Sequence, residues 1–228
     1  MGQWRGPGVQ EYLITIADTV ENSGSQSVSL FPYALVTRQG IPETQNFFIL
    51  HEGLIGYIGE QGLQEVGYDD LMDEGELKYA PETNGWLGMT DKYWAAAIVP
   101  TPGEKYTPRF FYRNANNRDS FQADFLGELV EIAPGSSKDH VSRLFAGAKE
   151  VNVINSYRDN PGIERFDLMI DWGWFYFITK PMFVALDWLY KLIGNFGLAI
   201  LAVTVVLKIL FFPLANKSYA SMANMKKV

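Results

Sequence analysis

Alternating and continuous apolar runs fill the first two thirds of the chain and are typical of β-strands. EYLITIADTV and SVSLFPYALVTRQ have strand lengths, and the turn-rich link ENSGSQ separates them. The series continues with NFFILHEGLIGYIG, DKYWAAAIVP, RFFYRN and SFQADFLGELVEI, and turns are predicted at PETNG, PTPGE, NANNRD and APGSS. No long helical pattern interrupts the strands from Glu11 to about Ala148, so we predict an antiparallel β-sandwich.

The pattern becomes helical after the strands. KEVNVINSYRDN loses the alternation, PGIERFDLMID predicts a short linker helix, and Gly194 and Asn195 predict a turn before the last apolar run. In the segment between them, Lys180, Asp187 and Lys191 fall near 0°, 340° and 20° on a helical wheel, which places them on one face.

The rest of that segment is apolar or aromatic, which predicts a helix lying in a membrane interface. The residues we assign to this surface are Trp172, Trp174, Phe183, Leu186 and Trp188. Pro181 is expected to kink or restart the helix. A buried core helix is the alternative interpretation, and the apolar run that follows favours the interface.

Residues 196–214, FGLAILAVTVVLKILFFPL, have the length and composition of a transmembrane helix. Thirteen of the nineteen are Leu, Ile, Val or Phe, and at about −0.3 to −0.6 kcal/mol each they favour insertion by roughly 4 to 8 kcal/mol. Lys208 opposes insertion by about 2.5 to 3.5 kcal/mol, so the segment is expected to span the membrane with its charge.

Lys208 and Thr204 form a polar stripe on this helix, because residues four apart share one face. An ionisable group within a span marks a polar cavity or a partner, so we predict a water-filled pocket that receives Lys208. Three alternatives remain open: the lysine snorkels to the near interface, it pairs with an acidic residue in a structural role, or the segment is a buried helix of a soluble protein.

The charge of the chain is divided between its two parts. The 228 residues carry a net charge of −7, with −11 over residues 1–170 and +4 over residues 171–228. The acidic part is therefore not expected to bind nucleic acid. The absence of cysteine excludes a disulfide framework and thiolate zinc sites.

Motifs for catalysis or metal binding are weak. His51 and His140 lack metal-ligand spacing, and we interpret them as ordinary surface or strand residues. The acidic stretch from Asp69 to Glu76 matches no EF-hand loop and predicts a solvated loop. Glycines recur at every third residue from Gly53 to Gly62 without a phosphate-loop lysine, which favours turns and bulges. We therefore predict no enzyme, no catalytic residue, no metal and no cofactor.

The segments WGWFYFITKPMF, GNFGLAILAVTVV and LKILFFPLANKSYASMANMKK resemble the bacterial membrane protein insertases of the YidC/Oxa1/Alb3 family. Upstream, LFPYALVTRQGIPE, HEGLIGYIG, GWLGMTDKYWAAA and RLFAGAKEV are similar to the large periplasmic domain of its Gram-negative members. The resemblance covers nearly the whole chain.

This resemblance implies a periplasmic supersandwich domain, an amphipathic interface helix and the first helix of a five-helix membrane core. Lys208 stands where the family has a positive residue, often arginine, in a hydrophilic groove, and Thr204 matches a second groove position. Pro213, Met222 and Met225 match the start of a cytoplasmic hairpin. No signal peptide opens the chain, and we expect a fragment without the anchor helix, the first strands and four core helices.

The predicted fold class is thus a mainly β domain, an antiparallel supersandwich, followed by an amphipathic interface helix and a transmembrane α-helix. The expected segments are the β domain at 1–155, a linker helix at 156–170, the interface helix at 171–193, the transmembrane helix at 194–214 and the hairpin start at 215–228. Residues 1–193 are expected on the periplasmic side of the inner membrane and 215–228 in the cytoplasm.

The function that the resemblance implies is insertion and folding of inner-membrane proteins, alone or with the Sec translocon. The implied partners are nascent inner-membrane proteins, the Sec translocon, the ribosome and the lipid bilayer. The alternative function is that of a single-span envelope protein whose β-sandwich binds a carbohydrate or a peptide.

Overall fold

The computed structural model describes residues 12–42, 50–173 and 175–225 of the chain. Two compact units divide it, one ending at Asp171 and the other beginning at Trp172. Part of the predicted strand segment NFFILHEGLIGYIG lies outside the described residues.

The described residues of the first unit form twelve strands. Their bounds are β1 Leu13–Glu21, β2 Val28–Leu30, β3 Tyr33–Gln39, β4 Gly53–Ile58, β5 Gly62–Val66, β6 Glu76–Lys78, β7 Gly85–Thr90, β8 Trp94–Val99, β9 Tyr106–Ala115, β10 Arg118–Gly127, β11 Val130–Ile132 and β12 Ser137–Ala148. The α-helices are α1 Tyr68–Glu74 and α2 Val151–Asp159 in this unit, and α3 Tyr176–Ile193 and α4 Phe196–Met225 in the second.

Two antiparallel sheets face each other in the first unit. The larger sheet has the order β1-β12-β8-β7-β4-β5, the smaller has the order β3-β10-β9-β6, and β2 pairs with β11 in a separate ribbon. All their pairings are antiparallel. The predicted antiparallel β-sandwich is confirmed.

The core of the sandwich consists of the inward-facing residues of both sheets. Leu54, Leu87 and Ile98 of the larger sheet pack in one cluster with Phe110 and Phe121 of the smaller sheet. These side chains are almost completely buried, and removing such area from water is the main favourable term in folding. The two sheets are therefore held together by packing of apolar side chains.

A second cluster covers the other face of the larger sheet. Trp86 and Phe145 from the strands meet Tyr157 of α2 and Phe166, which lies in a 3₁₀ turn at Phe166–Met169. Ring centroids of Phe166 lie 5.4 Å from those of Trp86 and Phe145, and the Trp86 indole donates a hydrogen bond to the Glu164 carbonyl at 3.2 Å. The chain after the last strand is thus packed onto the sheet.

Two local predictions are wrong. Most of the acidic stretch predicted as a solvated loop forms helix α1, and its last residue, Glu76, begins β6. Asp69 and Asp70 lie in the first turn of α1, where carboxylates interact favourably with the helix dipole. The linker helix predicted over 156–170 is not a single helix, because α2 ends at Asp159 and the 3₁₀ turn follows separately. Pro161 explains the break, since proline disfavours helical backbone in the residue before it.

The turn between β9 and β10 offers a test of the local backbone. Asn116 and Asn117 have φ values of 54° and 59° between the paired residues Ala115 and Arg118, and such two-residue hairpin turns favour Asn and Gly. We expect Asn117→Ala to lower the free energy of unfolding by about 1 kcal/mol, and Asn117→Gly to leave it unchanged or higher. Urea unfolding of both variants checks this, and equal losses would contradict it.

The second unit contains α3 and α4. Gly194 ends α3 in the left-handed conformation, with φ 72°, and its amide donates to the Tyr190 carbonyl at 2.8 Å. Asn195 then accepts a hydrogen bond from the Leu198 amide through its side chain at 3.2 Å. The predicted turn at these two residues is confirmed. α3 continues through Pro181 from its start at Tyr176 and does not restart there.

Candidate functional site

Helix α4 contains the apolar segment Phe196–Pro213, which is long and apolar enough to cross a membrane. Only 6% of this segment is buried, and Leu201, Ile209 and Leu210 are each more than three-fifths exposed. Exposing this apolar surface to water would be strongly unfavourable, whereas exposing it to the hydrocarbon core of a bilayer is not. The composition and exposure of the segment therefore favour a membrane span over a buried helix of a soluble protein.

Thr204 and Lys208 lie on α4, one helical turn apart and both exposed. The Thr204 hydroxyl donates to the Ile200 carbonyl of its own helix at 2.8 Å, so its hydrogen is satisfied without a partner helix. Among the residues that the structure describes, no ion pair is formed by Lys208. The stripe thus presents a cationic group and a hydroxyl oxygen on an otherwise apolar surface.

Helix α3 has an exposed apolar face and a separate charged face. The exposed apolar side chains include those of Phe177, Pro181, Val184, Ala185, Trp188 and Leu192, and most of them line one shallow groove. The predicted charged residue Lys180 is half-buried and lines the same groove. The charged face carries Asp187 and Lys191, which form an ion pair with N···O 2.5 Å. The predicted position of this helix in a membrane interface remains a prediction. None of its residues described is buried, which does not fit a core helix.

The predicted interface residues occupy different positions in this unit. Trp188 is 62% exposed on the apolar face, whereas Leu186 is half-buried. The rings of Trp172 and Phe183 stack edge to face, with centroids 5.5 Å apart. Trp174 lies outside the described residues. Trp188 therefore lies on the exposed apolar face, whereas Phe183 is partly covered by its contact with Trp172.

Phe177 and Val184 belong to the apolar face but were not among the predicted site residues. Both are about three-fifths exposed, and they share one side of the helix with Pro181 and Trp188. A helical repeat of 3.6 residues would have found them, because 177, 181, 184 and 188 follow its i, i+4, i+7 spacing.

The residues predicted for the hairpin start lie in continuous helix. α4 runs through Pro213 and includes Met222 and Met225 in its last turns. Proline inside a helix removes one backbone hydrogen bond. The positions of these residues as the start of a hairpin remain a prediction.

The histidines lie apart in the first unit. A ring nitrogen of His51 contacts the Leu54 carbonyl at 2.8 Å, and His140 lies 3.5 Å from a carboxylate oxygen of Glu104. No group of three side chains suited to a metal ion occurs within the described ranges. The chemical character of the candidate site therefore comes from the charge and apolar surfaces of α3 and α4.

An antiparallel β-sandwich followed by a helix long and apolar enough to cross a bilayer is typical of a membrane protein with a folded domain outside the membrane. Two sequence models of protein families match the chain: the YidC periplasmic domain over residues 9–185 and the 60Kd inner membrane protein over residues 188–228. The chain belongs to the YidC periplasmic domain family. Its β-sandwich is a periplasmic domain, and the chain is part of an inner membrane protein.

Several curated relatives are similar to the chain over nearly its whole length. The membrane protein insertases YidC of Mesorhizobium japonicum, Methylobacterium radiotolerans and Brucella suis are 54%, 53% and 52% identical to it. The matches cover 94–96% of this chain and 35–37% of the relatives. The chain therefore spans a little over a third of the length of these proteins.

Proposed function

We propose that the protein containing this chain is a membrane protein insertase, which assists insertion and folding of inner-membrane proteins. The observation that carries the proposal is the identity of more than half of the residues with proteins named as insertases, over nearly the whole chain. The exposed Lys208 on a helix suited to span a membrane supports it independently. The same relatives weigh against a carbohydrate- or peptide-binding envelope protein.

According to this proposal, the insertion of a substrate requires no covalent chemistry. Thr204 and Lys208 line a hydrophilic groove that lowers the cost of bringing a polar substrate tail partway into the membrane. The Lys208 ammonium attracts acidic residues of that tail, and this attraction strengthens where the effective dielectric constant is low. The apolar segment of the substrate then enters lipid as its surface leaves water.

Helix α3 lies in the outer membrane interface in this proposal. Its exposed apolar face enters the acyl boundary, while Asp187 and Lys191 remain in water. Residues 1–193 are then periplasmic, and 215–228, including Met222 and Met225, begin the cytoplasmic hairpin. The proposed partners are nascent inner-membrane proteins, the Sec translocon, the ribosome and the bilayer.

Reconstitution tests the insertase function. The full-length protein is incorporated into lipid vesicles, and a single-span substrate is synthesised in their presence. Protease protection of the substrate's translocated tail, above that seen with empty vesicles, is expected. Equal protection in both kinds of vesicle would contradict an insertase.

The apolar face of α3 gives a prediction of its own. We expect Val184→Glu in a peptide of residues 165–194 to weaken its vesicle binding about tenfold or more, because burying a valine side chain is worth about 1.5 kcal/mol or more. Vesicle co-sedimentation measures the change. Val184→Leu is the matched control and should bind at least as tightly, and equal binding of the two variants would contradict the interface role.

A further inference from the structure

One end of the larger sheet carries an exposed aromatic hairpin tip. β7 ends at Thr90, β8 begins at Trp94, and the Asp91 amide donates to the Trp94 carbonyl at 2.8 Å. Tyr93 is 64% exposed and Trp94 is 60% exposed. The Lys92 ammonium lies 5.1 Å from the centre of the Tyr93 ring. This tip, residues 92–94, therefore presents two large rings outward.

Contacts from neighbouring elements fix the backbone of the tip. The Arg38 guanidinium pairs with the Asp91 carboxylate at 2.6 Å, the Lys92 amide donates to the Glu52 carboxylate at 3.2 Å, and the Lys149 amide donates to the Tyr93 carbonyl at 2.8 Å. The rings are thus held in an exposed position by a rigid support. Exposed aromatic side chains on a fixed support are suited to recognition, because little entropy is lost when they are covered.

The chain leaves the first unit at the same end. The Asp171 carboxylate accepts a hydrogen bond from the His51 amide at 3.1 Å, and His51 precedes β4, whose first residue Gly53 pairs with Thr90. Lys149 joins the two regions, since its ammonium donates to Thr90 at 2.8 Å and interacts electrostatically with Asp171. Burial lowers the pKa of Lys149, and the nearby carboxylates oppose that shift.

Only residues 172–175 separate Asp171 from the first residue of α3. An extended chain covers at most about 3.6 Å per residue, so the five steps from Asp171 to Tyr176 reach at most about 18 Å. If α3 lies in the membrane interface, chain length alone keeps Asp171 within that distance of it. Tyrosine and tryptophan are the side chains enriched at the boundary between lipid and water.

We infer that Tyr93 and Trp94 at this tip make a second membrane contact, which seats the sandwich on the headgroups of a phospholipid bilayer. This inference rests on the proposed interface position of α3. A protein partner for the same rings is the competing possibility, and a vesicle system without other proteins separates the two.

The chain contains no cysteine, so single cysteines can carry an environment-sensitive fluorophore. Lys92→Cys labels the tip and keeps both rings. Glu104→Cys is the matched control, because its side chain is 61% exposed in the loop between the far end of β8 and the start of β9. Labels at Trp188→Cys and Ile209→Cys report whether α3 and the membrane-spanning part of α4 contact lipid. The 228-residue chain is reconstituted in vesicles of phosphatidylethanolamine and phosphatidylglycerol, with nitroxide-labelled lipid as quencher.

We expect lipid quenching at position 92 to be several-fold stronger than at position 104, and to fall when Tyr93→Ser and Trp94→Ser are added to Lys92→Cys. Quenching at 188 and 209 without quenching at 92 would overturn the inference while the proposed position of α3 stands. Quenching at 209 without quenching at 188 would contradict the proposed interface position of α3, and the inference would fail with it.

Discussion

Lys208→Ala in the full-length protein is expected to reduce insertion of single-span substrates with acidic tails by about tenfold, the change that corresponds to about 1.4 kcal/mol. The reason is the loss of a fixed positive charge on an exposed face of an apolar helix, where charge interactions are stronger than in water. Protease protection of the translocated tail, measured over time in reconstituted vesicles, gives the rate.

Two controls make this prediction specific to charge. Lys208→Arg keeps the cation and should retain most of the rate, although arginine adds a planar, bidentate geometry that lysine lacks. A substrate with its acidic tail residues changed to amides should lose its dependence on Lys208. An equal loss for acidic and amide tails in Lys208→Ala would show that the lysine acts through folding and not through attraction.

Phe166→Ala is expected to lower the free energy of unfolding of the β-sandwich by about 3 to 5 kcal/mol. Phe166 is fully buried and contacts Trp86, Phe145 and Tyr157 edge to face. Its removal leaves a cavity beneath the segment that carries the chain towards Asp171. Urea unfolding followed by tryptophan fluorescence measures the loss.

Phe31→Ala is the matched control, since Phe31 is 53% exposed and surface substitutions usually change stability by less than about 0.5 kcal/mol. A loss at Phe166 no greater than that at Phe31 would contradict the packing described for the α2 face of the larger sheet.

The sandwich could be predicted from the sequence because its strands alternate at a period of two and are bounded by turn residues. The turn NANNRD is the clearest case, since Asn116 and Asn117 tolerate positive φ. The sequence does not predict helix α1, because its seven residues are mostly acidic and too few to show a helical repeat of apolar positions. It is formed by tertiary packing, in which Tyr68 and Leu71 are buried.

The position of the two polar residues on one face of α4 was predictable, because a single helix carries the pattern. Lys208 and Thr204 follow from the spacing along α4, and an ionisable residue within an apolar run is conspicuous in any sequence. The contact of Phe183 with Trp172 could not be predicted, because it depends on how the chain before α3 folds back. The sequence predicts residues 92–94 only as part of a strand. The exposure of Tyr93 and Trp94 depends on the sheet topology and cannot be predicted from the local pattern.

The most direct test of the insertase hypothesis is rescue of cells depleted of their own insertase. The intact open reading frame that contains this chain is expressed with and without Lys208→Ala, and growth and membrane levels of both proteins are measured. Rescue by the parent and not by the variant, at equal levels, is the predicted result. Rescue by both would remove Lys208 from the mechanism, and failure of both despite stable membrane expression would contradict the insertase function.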